Sequence, residues 1–231
     1  MTRPTPLPPR PVLFDLDGTL ADTIPLLLAS MRAAYAIVGG TPPDERAWLA
    51  GMGKPLRAQL ASFEPDPARI EAIAIAYRDW QYAHLAEFVR PFADMRVLVD
   101  ALHARGHPVA VVTGKGSPMA IATLEQVGLR DAFPVLVGAD HTTRHKPEAE
   151  PLVHACTLLG VEPARGVYVG DAPNDILAAR AAGMADVWVA WGPFTLRDLA
   201  PLAPTHVAYT PADIVELLDR LDDEERARSA A

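Results

Sequence analysis

The chain has 231 residues, 50% of them hydrophobic, a formal net charge of −8 and a pI near 5.3. That charge excludes nucleic acid as the main partner, because phosphate backbones attract basic surfaces. Its lone cysteine, Cys156, excludes an intramolecular disulfide and a cysteine-ligated zinc site, and no apolar run approaches the ~20 residues of a membrane span. The expected setting is a reducing cytoplasm, and the length suits one domain carrying a large insertion. A small anionic ligand stays open, since one local cation or metal ion overrides the overall field inside a cleft.

In chain order, residues 1–10 form a proline-rich stretch that cannot be helical and holds no signal-peptide core, so a flexible lead-in is expected. Val12-Leu13-Phe14-Asp15 then reads as a first strand. Helical patterns follow at 24–37, 44–50, 56–62 and 68–88, with no convincing strand among them. Residues 21–90 are far too long for a crossover connection and are expected to fold as a helical cap. A helix over 92–105 returns the chain to the strands at 109–113, 134–138 (the weakest), 166–171 and 186–190. Helical stretches between them end at Gly128, Gly160 and Gly183, the residue expected just past a helix C-terminus. The charged end, residues 222–231, reads as a fraying helix tail.

Near-continuous apolar strands alternating with helices predict an α/β fold. Its core would be a doubly wound parallel, Rossmann-like sheet, formed by residues 11–20 and 91–221. Ligands of such sheets sit beyond the carboxyl ends of the strands, and the polar residues gather there. Asp15 and Asp17 lie two apart at a strand end, so alternation points both to one side, where a cation or proton must relieve their repulsion. Gly18 allows the turn that follows. Thr113 ends a strand before Gly114-Lys115-Gly116-Ser117, where hydroxyl and backbone amides can hold phosphoryl oxygens; Ser117 also suits an N-cap with Pro118 behind it. Lys146 precedes a proline after the fifth run. Asp171 and Asp175 flank the entry to a helix, and with one or two carboxylates they suit a hard cation such as Mg²⁺. Each segment alone has a structural explanation as a cap or turn. Cys156, in an apolar run, is expected to be a buried structural thiol, and the histidines lack ligand-like spacing.

Together these segments resemble the four ordered motifs of the haloacid dehalogenase superfamily. Phe14-Asp15-Leu16-Asp17-Gly18-Thr19-Leu20 matches the first, Thr113 the second, Lys146 in His145-Lys146-Pro147 the third and Gly170-Asp171-Ala172-Pro173-Asn174-Asp175 the fourth. The resemblance implies that Asp15 is a nucleophile forming an aspartyl phosphate and Asp17 a general acid and base. Thr113 and Lys146 would hold the phosphoryl group, and Mg²⁺ would sit among Asp15, Asp17 (through its carbonyl), Asp171 and Asp175. Asp175 would bind through water or serve as the partner of Lys146. A carboxylate at Asp17 separates phosphoryl chemistry from dehalogenation. The cap segment Ala50-Gly51-Met52-Gly53-Lys54-Pro55-Leu56 is similar to the substrate loop of phosphoglycolate phosphatases and pyrophosphatases. This implies a small phosphorylated metabolite as substrate, contacted by Lys54, Gly114 and Lys115, in a monomer or homodimer. Pyrophosphatase, phosphomutase and a non-catalytic phosphate-binding module of the same fold are the alternatives.

Overall fold

A computed structural model describes residues 8–229; the first seven residues of the proline-rich start and the last two of the tail lie outside them. Strands β1 (Val12–Phe14), β4 (Val109–Val112), β5 (Val135–Val137), β6 (Val167–Gly170), β7 (Ala185–Val189) and β8 (His206–Ala208) form one sheet in the order β5-β4-β1-β6-β7-β8. Every neighbouring pair is parallel. Alternation along β1 sends Val12 and Phe14 into one core and Leu13 into the other, and β4 and β6 divide in the same way. Helices α5 (Met95–Ala104), α6 (Ser117–Gln126) and α10 (Pro211–Ser229) cover the first face, and α7 (Glu150–Leu159) and α8 (Pro173–Ala181) the second. This explains the lack of clean polar alternation: each central strand is buried on both sides. Cys156 is fully buried on α7, where burial pushes its thiol up to about 11.

After β1 the chain builds β4 and β5 on one side, then crosses back to build β6 to β8 on the other. The switch point therefore falls at β1, and the strand ends carrying Asp15, Thr113 and Asp171 converge there.

Between β1 and α5 lie α1 (Ile24–Val38), α2 (Glu45–Leu49), α3 (Leu56–Leu60) and α4 (Pro67–Phe88). Asp44 and Asp66 accept backbone N–H bonds at the starts of α2 and α4, and Pro67 occupies the first turn of α4. The helices bury a core of their own around Met31, Tyr35, Trp48, Leu60, Ile73 and Tyr77. Fully burying a large apolar side chain contributes roughly 1.5–3 kcal/mol, enough to hold such a layer together. One expectation needs correcting. Ala21–Asp22 (β2) pairs antiparallel with Arg90–Pro91 (β3) where the chain leaves and re-enters the sheet layer. Strands of two residues are too short to show any hydrophobic period.

Three further differences have local causes. β8 carries only three residues, and its first, His206, is polar. Helix α6 is preceded by Gly116 as its cap, because Ser117 instead donates from its backbone and its hydroxyl to Asp140. Residues 222–229 continue α10, and Arg10, only 7% exposed, donates to Asp222 at 2.6 Å and pairs with Glu225. The end of the described lead-in thus clamps the last helix, and neither segment is loose there.

Candidate active site

Val12, Leu13 and Phe14 hold β1 in the sheet, and the Asp15 N–H still donates to Val169 O at 2.9 Å. The Asp15 carboxylate is therefore fixed at the strand's end, 3% exposed. Gly18, at φ +80°, then turns the chain under Asp171. A Cβ there would lie 2.8 Å from Asp171 Oδ2, so glycine is required by both conformation and space.

Lys146, 3% exposed, lies at the centre of the floor. Its Nζ donates to Asp175 Oδ1 at 2.6 Å and to the Tyr168 hydroxyl at 2.9 Å, and ion-pairs with Asp15 Oδ1 at 2.9 Å. Two donors are thus hydrogen-bonded, and the third contact is an ion pair to an Asp15 oxygen that accepts no hydrogen bond among the described residues. The second Asp175 oxygen accepts from Ala172 N at 2.9 Å, which fixes the start of α8. Asp171 accepts from the Thr19 hydroxyl at 2.9 Å through Oδ1, while its buried Oδ2 has no hydrogen-bond partner among the described residues. Tyr168, Thr19 and Thr23 were not singled out in the sequence. Thr19 stands inside the first motif, but its service to Asp171, 152 residues away, has no local signature.

Burial raises the Asp15 carboxyl to about 7, despite the lowering effect of Lys146; Asp175 and Asp17 add to the rise. Asp171 is raised well above its ordinary value by burial and by Asp175 and Asp15. For Lys146 burial opposes the charge, but Asp15 and Asp175 outweigh it and hold the ammonium protonated. The floor therefore carries more carboxylate than one lysine neutralises. Ligand oxygens of Asp15, Asp171 and Asp175 lie within 4.8 Å of one another. A hard divalent cation fits this all-oxygen set, and the unpartnered Asp171 Oδ2 is the acceptor it would complete.

Asp17 lines the same cavity as Asp15. Thr23 donates to Asp17 Oδ1 at 2.7 Å, and Lys115 Nζ lies 2.6 Å from the same oxygen. Lys115 is therefore placed on Asp17 as well as on the cavity it lines. Thr113, 5% exposed, ends β4 beside them and accepts from Lys115 N at 3.2 Å.

The helical layer closes over this floor. Asn174 donates to Met52 O at 2.8 Å, and a Cβ on Gly114 would lie 2.5 Å from Gly53 O. The backbone of the Gly51–Lys54 segment thus rests directly on the strand-end loop after β4. Between the layers is a cavity of about 620 Å³, bordered by Asp15, Asp17, Thr113, Gly114, Lys115 and Lys54. Lys54 is exposed, and its ammonium has no ion pair among the described residues. Trp191 is a packing residue: it donates to Thr19 O at 2.9 Å and lies against Phe92. No helix among the described residues is long and apolar enough to cross a membrane.

Residues 12–189 match the model of a family described as haloacid dehalogenase-like hydrolase. A phosphoglycolate phosphatase of Neisseria meningitidis is 36% identical over 188 residues, covering 78% of this chain and 80% of that protein. A Clostridium perfringens protein provisionally named pyrophosphatase PpaX is 33% identical over 213 residues, covering 92% of this chain and 99% of that one. Among solved structures, a predicted phosphoglycolate phosphatase from Haemophilus somnus superposes with a TM-score of 0.79 at 25% identity, covering 90% and 97% of the two chains.

Proposed function

The chain belongs to the haloacid dehalogenase-like hydrolases and is a phosphatase of that family, and from that premise we propose a Mg²⁺-dependent hydrolysis of a small phosphorylated metabolite through an aspartyl phosphate. The observation that carries the reading is the buried quartet of Asp15, Lys146, Asp171 and Asp175. There, excess carboxylate and an unpartnered oxygen call for a cation beside a fixed nucleophile.

Asp15, Asp171 and the Asp17 carbonyl would hold the ion, with Asp175 reaching it through water or acting only as the partner of Lys146. When bound, it would neutralise charge on the transferring phosphoryl group. An Asp15 oxygen forms a bond to phosphorus as the bond to the leaving oxygen breaks. Lys146 and Thr113 hold the phosphoryl oxygens in place, a task of positioning and charge. Lys115 turns from Asp17 to the anionic substrate, and Asp17 takes up a proton and delivers it to the leaving oxygen. Water then attacks phosphorus, Asp17 accepts its proton, and the bond to Asp15 breaks to release phosphate.

Residues 11–20 and 91–221 would form the catalytic unit and residues 21–90 the cap. Phosphoglycolate is the first substrate to test, because Lys54 lines the cavity, where it would meet a carboxylate, and a relative carries that name. Pyrophosphate is the second reading, since Lys54 suits a distal phosphate equally well and another relative is named for it. The enzyme would work in the cytoplasm.

Phosphate release from a metabolite panel, with Mg²⁺ and then with EDTA, tests the reading. Release that EDTA stops and Mg²⁺ restores is expected. No release from any phosphoester would sink it, faster pyrophosphate turnover would move it to the second reading, and isomerised sugar phosphate with little free phosphate would mark a mutase.

A further inference from the structure

On α4, Gln81 follows Tyr77 by one turn on the same face, and both line the cavity that reaches down to Asp15 and Asp17. Gln81 is only 3% exposed, yet its side-chain nitrogen has no hydrogen-bond partner among the described residues. Buried amide donors are rarely left unpaired, because the desolvation cost is then uncompensated. Ile73 and Tyr77, on the same side of the helix, pack into the helical layer's own core, so an apolar side chain at 81 would suit that packing.

The cavity supplies the second observation. At about 620 Å³ it falls within the ~300–1,000 Å³ typical of sites that enclose a drug-sized ligand. A two-carbon acid would leave most of it empty. Its walls include Leu56, Ile75, Tyr82, Pro118 and Met119, apolar surfaces suited to the carbon face of a larger skeleton.

Building on the phosphatase reading, we infer that Gln81 is a specificity residue and that the leaving group is a polyol of sugar size. A hydroxyl or carbonyl oxygen of that group accepts a hydrogen bond from the Gln81 amide nitrogen, and Tyr82 and Leu56 cover its carbons. Sites built to hydrogen-bond a substrate oxygen reject analogues lacking it, since the buried donor is then left unpaired.

The test measures kcat/KM on phosphoglycolate and on matched pairs, glucose 6-phosphate against 2-deoxyglucose 6-phosphate and ribose 5-phosphate against 2-deoxyribose 5-phosphate. Wild-type protein is expected to favour a sugar phosphate over phosphoglycolate and to prefer the hydroxylated member of at least one pair. Gln81→Leu is expected to lower kcat/KM for that member by about 10- to 100-fold and to erase the preference. Gln81→Glu, which keeps the shape and exchanges the donor for an anion, should lose at least as much. Thermal melts of both variants check folding. Phosphoglycolate preferred by the wild type, a preference surviving Gln81→Leu, or better turnover with Gln81→Glu would each overturn the inference while leaving the phosphatase reading intact. Phosphate released from no phosphoester would overturn both.

Discussion

Two lysines, one pinning the Asp15 carboxylate of the cavity floor from beneath and one lining the cavity itself, stand under opposite conditions. Lys146, in the sheet layer, has a side chain 1% exposed and three oxygen partners within 2.9 Å. Lys54, in the helical layer, is exposed and has no ion pair among the described residues. The same contrast runs through the two layers. The floor is a desolvated network in which each charge fixes the next, so its field is organised before substrate arrives. Around the roof, the cations Arg57 and Arg78 pair at the surface with Glu71 of α4, contacts that solvent screens and that add little stability. Chemistry that tolerates no rearrangement sits where solvent is excluded. Recognition, which must let ligand in and out, sits where solvent still reaches.

That contrast can be broken most sharply at the proposed nucleophile. Asp15→Asn should reduce turnover by about four orders of magnitude or more while leaving far-ultraviolet circular dichroism unchanged. Residual activity within tenfold of wild type would remove Asp15 from its assigned role. Lys146→Met comes next, since it strands Asp15 and Asp175 without a counter-charge. A loss of about 3–5 kcal/mol in chemical denaturation is expected, together with loss of activity. If stability were unchanged, the floor would not be the locked network described.

Gly114→Ala addresses the joint between the layers. The added Cβ would lie 2.5 Å from Gly53 O and 3.1 Å from Lys54 O, so the Gly51–Lys54 loop must retreat. A fall in kcat/KM of about 10- to 100-fold, with little change in melting temperature, would separate closure from folding. Unaltered kinetics would mean that the loop's contact with the floor is dispensable.

Asp186 shows a buried carboxylate in the sheet layer used purely for structure. It accepts from Thr205 N and Oγ1 at 2.7 Å each and from Arg180 Nε at 3.1 Å. Burial alone would raise its pKa, but these bonds outweigh burial and hold it below the ordinary carboxylate range. A depressed folded pKa stabilises above the unfolded value, about 3.9, and that stability is lost as pH falls through the folded value. Asp186→Asn should therefore cost about 1–3 kcal/mol at pH 7, with the gap to wild type narrowing toward pH 3 in denaturation experiments. A pH-independent gap would assign the cost to packing instead. The smallest effect is expected at Arg46, which reaches across the layers to Asp198 at 3.0 Å with its side chain 88% exposed. Arg46→Ala should leave the denaturation midpoint nearly unchanged; a clear loss would show that the roof depends on surface charge.

Much of the candidate site was legible along the chain because Asp15, Thr113 and Asp171 directly follow recognisable strands, whereas Lys146 and Asp175 lie in the loop and helix beyond. Val12-Leu13-Phe14 before Asp15, and Val167-Tyr168-Val169-Gly170 before Asp171, are runs that only a doubly buried strand explains. The four helices between β1 and α5 were legible from their periodicity, while the capping by Asp44 and Asp66 emerged only from the structure. What escaped was non-local or too short to show a period. Thr19 serves Asp171, Tyr168 supports Lys146 from beneath, and Arg10 clamps α10, each across more than 20 residues of sequence. Two-residue β2 and β3 form only because the chain passes the same place twice.

For this protein, then, order along the chain determined the α/β layer architecture and named Asp15, Asp17, Thr113, Lys146, Asp171 and Asp175 as candidates at the sheet's carboxyl edge. Backbone periodicity and strand ends are local properties, and sequence records them directly. Tertiary structure alone decided that Lys146 bridges Asp15 and Asp175, that Lys115 rests on Asp17, and that Gln81 faces the cavity with its amide unpaired. Those outcomes depend on which buried polar groups find partners once water is excluded, and that is settled only when distant segments pack together.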